Sequence, residues 1–194
     1  MIIPNGITRI ESTLFDNCDQ LKSIIIPDSV TQIGTLAFAN CDSLKSIILP
    51  ESIEVIEHSA FMNCDELDHI NIPKNVIQIG SMAFSDCQNL TNIQVSSENS
   101  KYKVESGLFI DNDNNKVLRC VDLISNTIEV PKGIVKIDLG AFSACKNLTD
   151  VSLPKELEEI GSYAFFDCEN LKNLLIPKSV KVIADSGFFI YKSK

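Results

Sequence analysis

Histidine occurs only twice in the 194 residues, as His58 and His69, and no glycine-rich phosphate loop is present. Neither histidine belongs to a Ser/His/Asp or Cys/His arrangement, so nucleophilic catalysis has no evident carrier, and the chain is read as non-enzymatic. Both histidines are expected to be exposed surface residues. Runs of lysine or arginine are also missing. With a net charge of -9 and a pI of about 4.7, nucleic acid and an anionic membrane are excluded as main partners, while a basic or neutral protein remains suitable. No apolar stretch approaches the roughly 18 to 20 residues of a membrane-spanning helix, so direct membrane insertion is not expected. Met1-Ile2-Ile3-Pro4 does not form a charged leader. No C-x-x-C spacing occurs, and the seven cysteines are odd in number and widely separated. Paired zinc ligands and a disulfide framework are therefore not expected, and neither is a metal or any other cofactor.

What is present is a period. All seven prolines (Pro4, Pro27, Pro50, Pro73, Pro131, Pro154 and Pro177) fall 23 residues apart except across one gap of 58, which is one unit of 23 and one enlarged unit of 35. Cys18, Cys41, Cys64, Cys87, Cys145 and Cys168 keep the same beat, as do Phe15, Phe38, Phe61, Phe84, Phe142, Phe165 and Phe188. A fixed period of this length marks a solenoid, whose units bury their apolar faces by stacking on their neighbours. The expectation is a single array over residues 1–194: eight coils of the 23-residue type, with an enlarged coil at 95–130 and an incomplete one at 177–194. An array that starts inside a repeat and lacks an evident cap is expected to be an excerpt of a longer protein, with end-to-end self-association open to its uncapped ends.

Leu21 to Cys41 reads L-x-x-I-x-I-P-x-x-V-x-x-I-G-x-x-A-F-x-x-C. Alternation across Ile24-Ile25-Ile26 predicts a strand with Leu21, Ile24 and Ile26 inward and Ser23 and Ile25 outward. Pro27 ends it, having no N–H to donate. A second extended segment, Val30 to Ile33, leads to the A-F-x-x-C element, expected as one turn of α- or 3₁₀-helix. The glycine before that element is replaced by Glu57, Asp138 and Ala184 elsewhere, which argues against a strict positive-φ requirement. The cysteines are expected to form a buried, reduced ladder of small apolar residues, suited to a reducing or oxygen-poor setting. In the enlarged coil, Gly107 to Ile110 and Lys116 to Cys120 flank an Asp/Asn cluster and predict a β-hairpin.

This pattern resembles the BspA-like, or Treponema pallidum-type, leucine-rich repeats, whose unit carries I-P-x-x-V-x-x-I-G-x-x-A-F-x-x-C-x-x-L. Tyr102 to Pro131 is similar to that family's hairpin island. The resemblance implies a right-handed leucine-rich-repeat solenoid dominated by parallel strands. It also implies a protein-binding module of microbial surface or secreted proteins, adhering to host or neighbouring-cell surface proteins. The alternative is a cytoplasmic scaffold or regulatory subunit using the same face. The resemblance supplies no catalytic residue.

Outward strand positions form two columns. Ser23, Ser46, His69, Asn92, Thr127, Asp150 and Asn173 make one, and Ile2, Ile25, Ile48, Asn71, Gln94, Glu129, Ser152 and Leu175 the other. Ile2, Ile25 and Ile48 would lie side by side, and contiguous exposed apolar residues mark contact surfaces; the alternative is an edge covered by a further N-terminal repeat. The candidate binding residues are Lys22, Ser23, Ile25, Lys45, Ser46, Ile48, His69 and Asn71. Asp19, Asp42, Asp65 and Glu169 follow the ladder cysteines and suggest an acidic ridge, with Lys22, Lys45 and Lys172 placed to neutralise it. Asp111, Asp113, Asn115 and Asp122 partly mimic a calcium loop, but Lys116 stands where its glycine is required and a hairpin turn is the better reading. Asn89-Leu90-Thr91 and Asn147-Leu148-Thr149 are formal glycosylation sequons.

Overall fold

The computed structural model describes residues 1–188, so the last six residues of the terminal coil expected at 177–194 lie outside the described residues. The chain forms two compact units, Met1–Lys101 and Tyr102 onward.

In the first unit, β1 (Arg9–Ile10), β2 (Gln32–Ile33), β3 (Ser46–Ile47), β4 (Val55–Ile56), β5 (His69–Ile72), β6 (Gln78–Ile79) and β7 (Asn92–Val95) are all short. β1, β2, β4 and β6 form one parallel sheet, and β3, β5 and β7 another. Every register is one repeat long: Ile10 pairs with Ile33, Ile33 with Ile56, Ser46 with His69, and His69 with Asn92. In the first two coils the second sheet is reduced to single bridges, Ile2 to Ile25 and Ile25 to Ile48. Inward columns fill the core: Leu44, Ile47, Ile53, Ile56, Phe61 and Cys64 are all buried.

The expected helical turn is not formed: no helix occurs among the described residues. The A-F-x-x-C element is a series of reverse turns, and its backbone hydrogen bonds explain why. Ala37 N–H donates to Gly34 O (3.1 Å) and Ala39 N–H to Leu36 O (3.2 Å), within the coil. The intervening amides of Leu36, Phe38 and Asn40 donate instead to His58 O, Ala60 O and Met62 O of the next coil, at 3.1, 2.8 and 2.8 Å. A helix would keep all these donors to itself, whereas the alternation spends half of them on stacking. Leu36 and Asn40 also adopt φ of 57°, left-handed positions at which an α-helix cannot continue. Turns with positive φ at their third residue accommodate them. Asparagine or aspartate recurs just before the ladder cysteine, at Asn17, Asn40, Asn63, Asp86 and Asp167, because these residues tolerate left-handed backbone.

The glycine column has a different cause. Gly34 and Gly80 do not take positive φ, but a Cβ there would lie 2.6 Å from Ser12 N and 2.4 Å from His58 N, so close approach of neighbouring backbones selects glycine. Where Glu57 takes this place its carboxylate supplies acceptors. Thr35 N–H and Thr35 Oγ1 donate to Oε2 (2.9 and 3.0 Å), and Arg9 Nη2 donates to Oε1 (3.0 Å). Glu57→Ala should therefore lower stability by about 1 to 3 kcal/mol through the donors it strands. Urea unfolding followed by circular dichroism measures this, and a loss below about 0.5 kcal/mol would remove the role assigned to the carboxylate.

In the second unit, β8 (Tyr102–Glu105), β9 (Leu108–Asp111) and β10 (Lys116–Cys120) form an antiparallel meander. β10 then pairs in parallel with β12 (Lys136–Ile137), which continues through β14 (Glu159–Ile160) to β16 (Val182–Ile183). A second parallel sheet orders β11 (Thr127–Glu129), β13 (Asp150–Ser152) and β15 (Asn173–Leu174). The hairpin thus supplies the coil's own ladder strand, with Val117 in register with Ile137. Cys120, the cysteine off the beat, donates its N–H to Ala141 O as Phe38 does to Ala60 O, so it occupies the phenylalanine position of its coil.

Candidate binding face

Strand alternation and the prolines that close each strand decide what the second sheet of the first unit presents outward. Ile24 and Ile26 are buried, while Ile2, Ile25 and Ile48 are 71%, 61% and 76% exposed. The bridges linking these three residues hold them side by side. Ser23, Ile25, Asp28, Ser46, Ile48 and Pro50 are among the residues lining a shallow groove of about 420 Å³ along this stripe. Of the eight candidate residues, Ser23, Ile25, Ser46 and Ile48 are therefore brought together in one groove. Lys22 and Lys45 are exposed three residues before Ile25 and Ile48, with Lys45 Nζ 3.7 Å from Glu66 Oε2.

His69 stands beside Ser46 in the sheet, and its Nδ1 lies 2.5 Å from Asp68 Oδ1. Asn71 is committed to the fold: its Nδ2 donates to Leu49 O (2.8 Å), and Leu49 N–H donates to its Oδ1 (2.9 Å). The side chain thus takes over hydrogen bonds at the point where the isoleucine stripe ends.

Burial, then the charges of Asp42 and Asp86, push the Asp65 carboxyl above its ordinary value. Lys45 pairs with Glu66. No cluster of three or more metal-ligating side chains occurs among the described residues. The calcium-loop mimic resolves into separate turns: Asp111 accepts from Asn114 N–H and Nδ2 (3.1 and 2.8 Å), and Asp122 accepts from Ser125 Oγ and N–H (2.5 and 3.1 Å). Those bonds from Ser125 hold the Asp122 carboxyl below its ordinary value. Asn89 and Asn147 of the sequons donate from Nδ2 to Asp65 O and Leu123 O of the preceding coil, as Asn170 does to Lys146 O. Asparagine in this column is accounted for by coil stacking. His58 is exposed, as expected.

The thiols do more than fill space. Cys41, Cys64, Cys87 and Cys168 each donate from Sγ to the carbonyl of the phenylalanine 26 residues earlier, at 3.1, 3.1, 2.9 and 3.0 Å. The constant offset was visible in the sequence, but the acceptor was not. Burial pushes the Cys41 and Cys168 thiols up to about 12. All seven cysteines are free and six are buried, Cys18 alone being half-buried. Brief iodoacetamide treatment of the native chain at pH 8 should modify Cys18 first, whereas unfolding without reductant should expose seven reactive thiols. Intact-mass spectrometry reads both, and a pair that stays unmodified after unfolding would contradict the reduced ladder.

Among the described residues, no helix is long and apolar enough to cross a membrane. No curated protein matches the sequence. Several solved structures do, among them the following three. The pneumococcal vaccine antigen PcpA shares 27% identity over 91% of this chain and 45% of its own, with a TM-score of 0.84. A leucine-rich cell surface protein of Faecalibacterium prausnitzii A2-165 shares 27% over 92% of this chain and 54% of its own, with a TM-score of 0.77. A leucine-rich repeat protein of Bacteroides ovatus ATCC 8483 shares 30% over 94% of this chain and 44% of its own, with a TM-score of 0.63. The chain spans about half the length of these relatives. Residues 1–116 and 119–193 match the BspA type leucine-rich repeat region in six copies, and the chain belongs to that family.

Proposed function

We propose that this chain is a non-enzymatic protein-binding module of a bacterial surface or secreted protein, and that it engages its partner with the strand face of its first coils. The observation that carries this reading is the stripe of Ile2, Ile25 and Ile48, exposed and contiguous beside the serines of the groove. Interfaces concentrate their energy in a few apolar residues that become desolvated, ringed by polar contacts. A repeat array can vary those outward residues without disturbing its inward ladder. The surface location rests on likeness to relatives such as the cell surface protein of Faecalibacterium prausnitzii.

The test uses paired baits, the native chain and its Ile25→Ser/Ile48→Ser variant, against extracts of bacterial and host cell surfaces. A protein captured by the first should bind the second at least tenfold more weakly, about 1.4 kcal/mol. Equal affinity would move the binding site off this face.

A further inference from the structure

The flanks of the isoleucine stripe carry a charge pattern that the binding reading does not use. Three residues before Ile25 stands Lys22, and three after it Asp28. Around Ile48 the same offsets hold Lys45 and Glu51; around Asn71 they hold Asp68 and Lys74, with the signs exchanged. All six charged residues are exposed. Along the chain each of these coils therefore carries a cation on one side of its centre and an anion on the other, and Asp28 itself lines the groove beside Ile25. Lys22 and Asp28 make no ion pair among the described residues. Lys45 and Lys74 have only loose, exposed partners, Glu66 at 3.7 Å and Glu98 at 3.5 Å, which surface screening makes cheap to exchange.

Such a pattern is complementary to itself under one operation. A two-fold axis parallel to the direction of coil stacking, lying between two facing sheets, runs the strands antiparallel and keeps the coils level. Ile25 then meets Ile25 of a second copy and Ile48 meets Ile48, while Lys22 faces the partner's Asp28 and Lys45 the partner's Glu51. The reversed pair Asp68 and Lys74 obeys the same symmetry, with Asp68 Oδ1 already held 2.5 Å from His69 Nδ1 in its own chain. A two-fold axis along the strands would instead set lysine over lysine. An isologous contact of the first kind is self-complementary in shape and charge.

Resting on the reading of this face as the binding surface, we infer that its partner is a second copy of the chain, in a two-fold pair centred on Ile25 and Ile48. The seven residues from Lys22 to Asp28 reach at most about 20 Å and three coils span about 14 Å, so the patch covers no more than about 300 Å² in projection. That is well under the roughly 800 Å² per partner of a stable complex. The pair is accordingly a weak one that forms at high local concentration, as when many copies are held on facing surfaces. Salt does not discriminate here, since it screens both the repulsion of two chains of charge -9 and the attraction of their rims. Exchange of charges does.

Sedimentation equilibrium of the full chain should show a weight-average mass rising with concentration from 21.4 kDa towards twice that value. Ile25→Ser/Ile48→Ser should raise the dissociation constant at least tenfold. Lys22→Glu/Lys45→Glu, with two acidic rims, and Asp28→Lys/Glu51→Lys, with two basic rims, should each self-associate at least tenfold more weakly. Mixed in equal amounts they should pair again, and should fail to pair when both also carry the isoleucine substitutions. A chain that stays monomeric to its solubility limit, a dimer indifferent to the isoleucine substitutions, or charge variants that pair no better mixed than alone would overturn the inference. A monomeric chain whose Ile25→Ser/Ile48→Ser variant still loses a different surface protein would overturn self-pairing alone and leave the binding face standing.

Discussion

Phe61→Ala is expected to lower the stability of the first unit by about 3 to 5 kcal/mol, the range for removing a large aromatic from a site that cannot collapse. Phe61 is fully buried and lies between two other rings of its column, with centroids 5.2 Å from Phe38 at 2° and 5.8 Å from Phe84 at 12°. Its N–H donates to Ala83 O and its carbonyl accepts the Cys87 thiol, so the backbone around the missing ring is held from the following coil. The neighbouring rings cannot close the gap without breaking that register, and a cavity persists. Urea unfolding should show the loss, while Gln88→Ala on the exposed surface should stay within about 0.5 kcal/mol. A near-native midpoint for Phe61→Ala would mean that the phenylalanine column does not hold the coils together.

The second large effect is alkaline. Thiol pKa values raised by burial leave the native chain holding protons that the unfolded chain gives up. Cys41 and Cys168 are raised to about 12. A hydrogen bond with Cys87, and then burial, raise Cys64; a hydrogen bond with Cys120, and then burial, raise Cys145, while that same bond holds Cys120 below its ordinary value and offsets the contribution of the pair. The stabilisation is complete below the unfolded thiol value near 8.5 and is lost as pH climbs towards the native values. Between pH 9 and 12 the unfolded state binds fewer protons, so stability falls by up to about 1.4 kcal/mol per pH unit for each such thiol. The urea midpoint should drop steeply over this window while staying flat between pH 7 and 8 as far as the thiols are concerned. Cys41→Ala should shallow the slope; an unchanged slope would show that other groups cause it.

The sequence made the stacking legible because each inward position repeats: Ile10, Ile33, Ile56 and Ile79 could pair only one repeat apart, and do. Ile25 was legible as outward from alternation alone, and the hairpin from the Asp/Asn cluster. The A-F-x-x-C element was misread because its local pattern suits a helix, while the choice of acceptor for Phe38 N–H belongs to the next coil. The same limit hid the thiol acceptors. Asn71 could not be told from a free surface amide, since its partner Leu49 is a backbone 22 residues away. Cys120 was hidden by the loss of period in the enlarged coil, and β8 by the absence of any ladder residue in Tyr102–Glu105.

Folding and recognition should separate at the isoleucine stripe, and one paired measurement on Ile25→Ser/Ile48→Ser decides whether they do. Urea unfolding and binding are read on the same preparations, native and variant, against a surface protein that the native chain captures. The expected result is a stability within about 1 kcal/mol of native, the span of β-propensity at exposed strand positions, together with binding at least tenfold weaker. Undiminished binding, or a loss of binding that only follows a loss of fold, would contradict the assignment of recognition to this face.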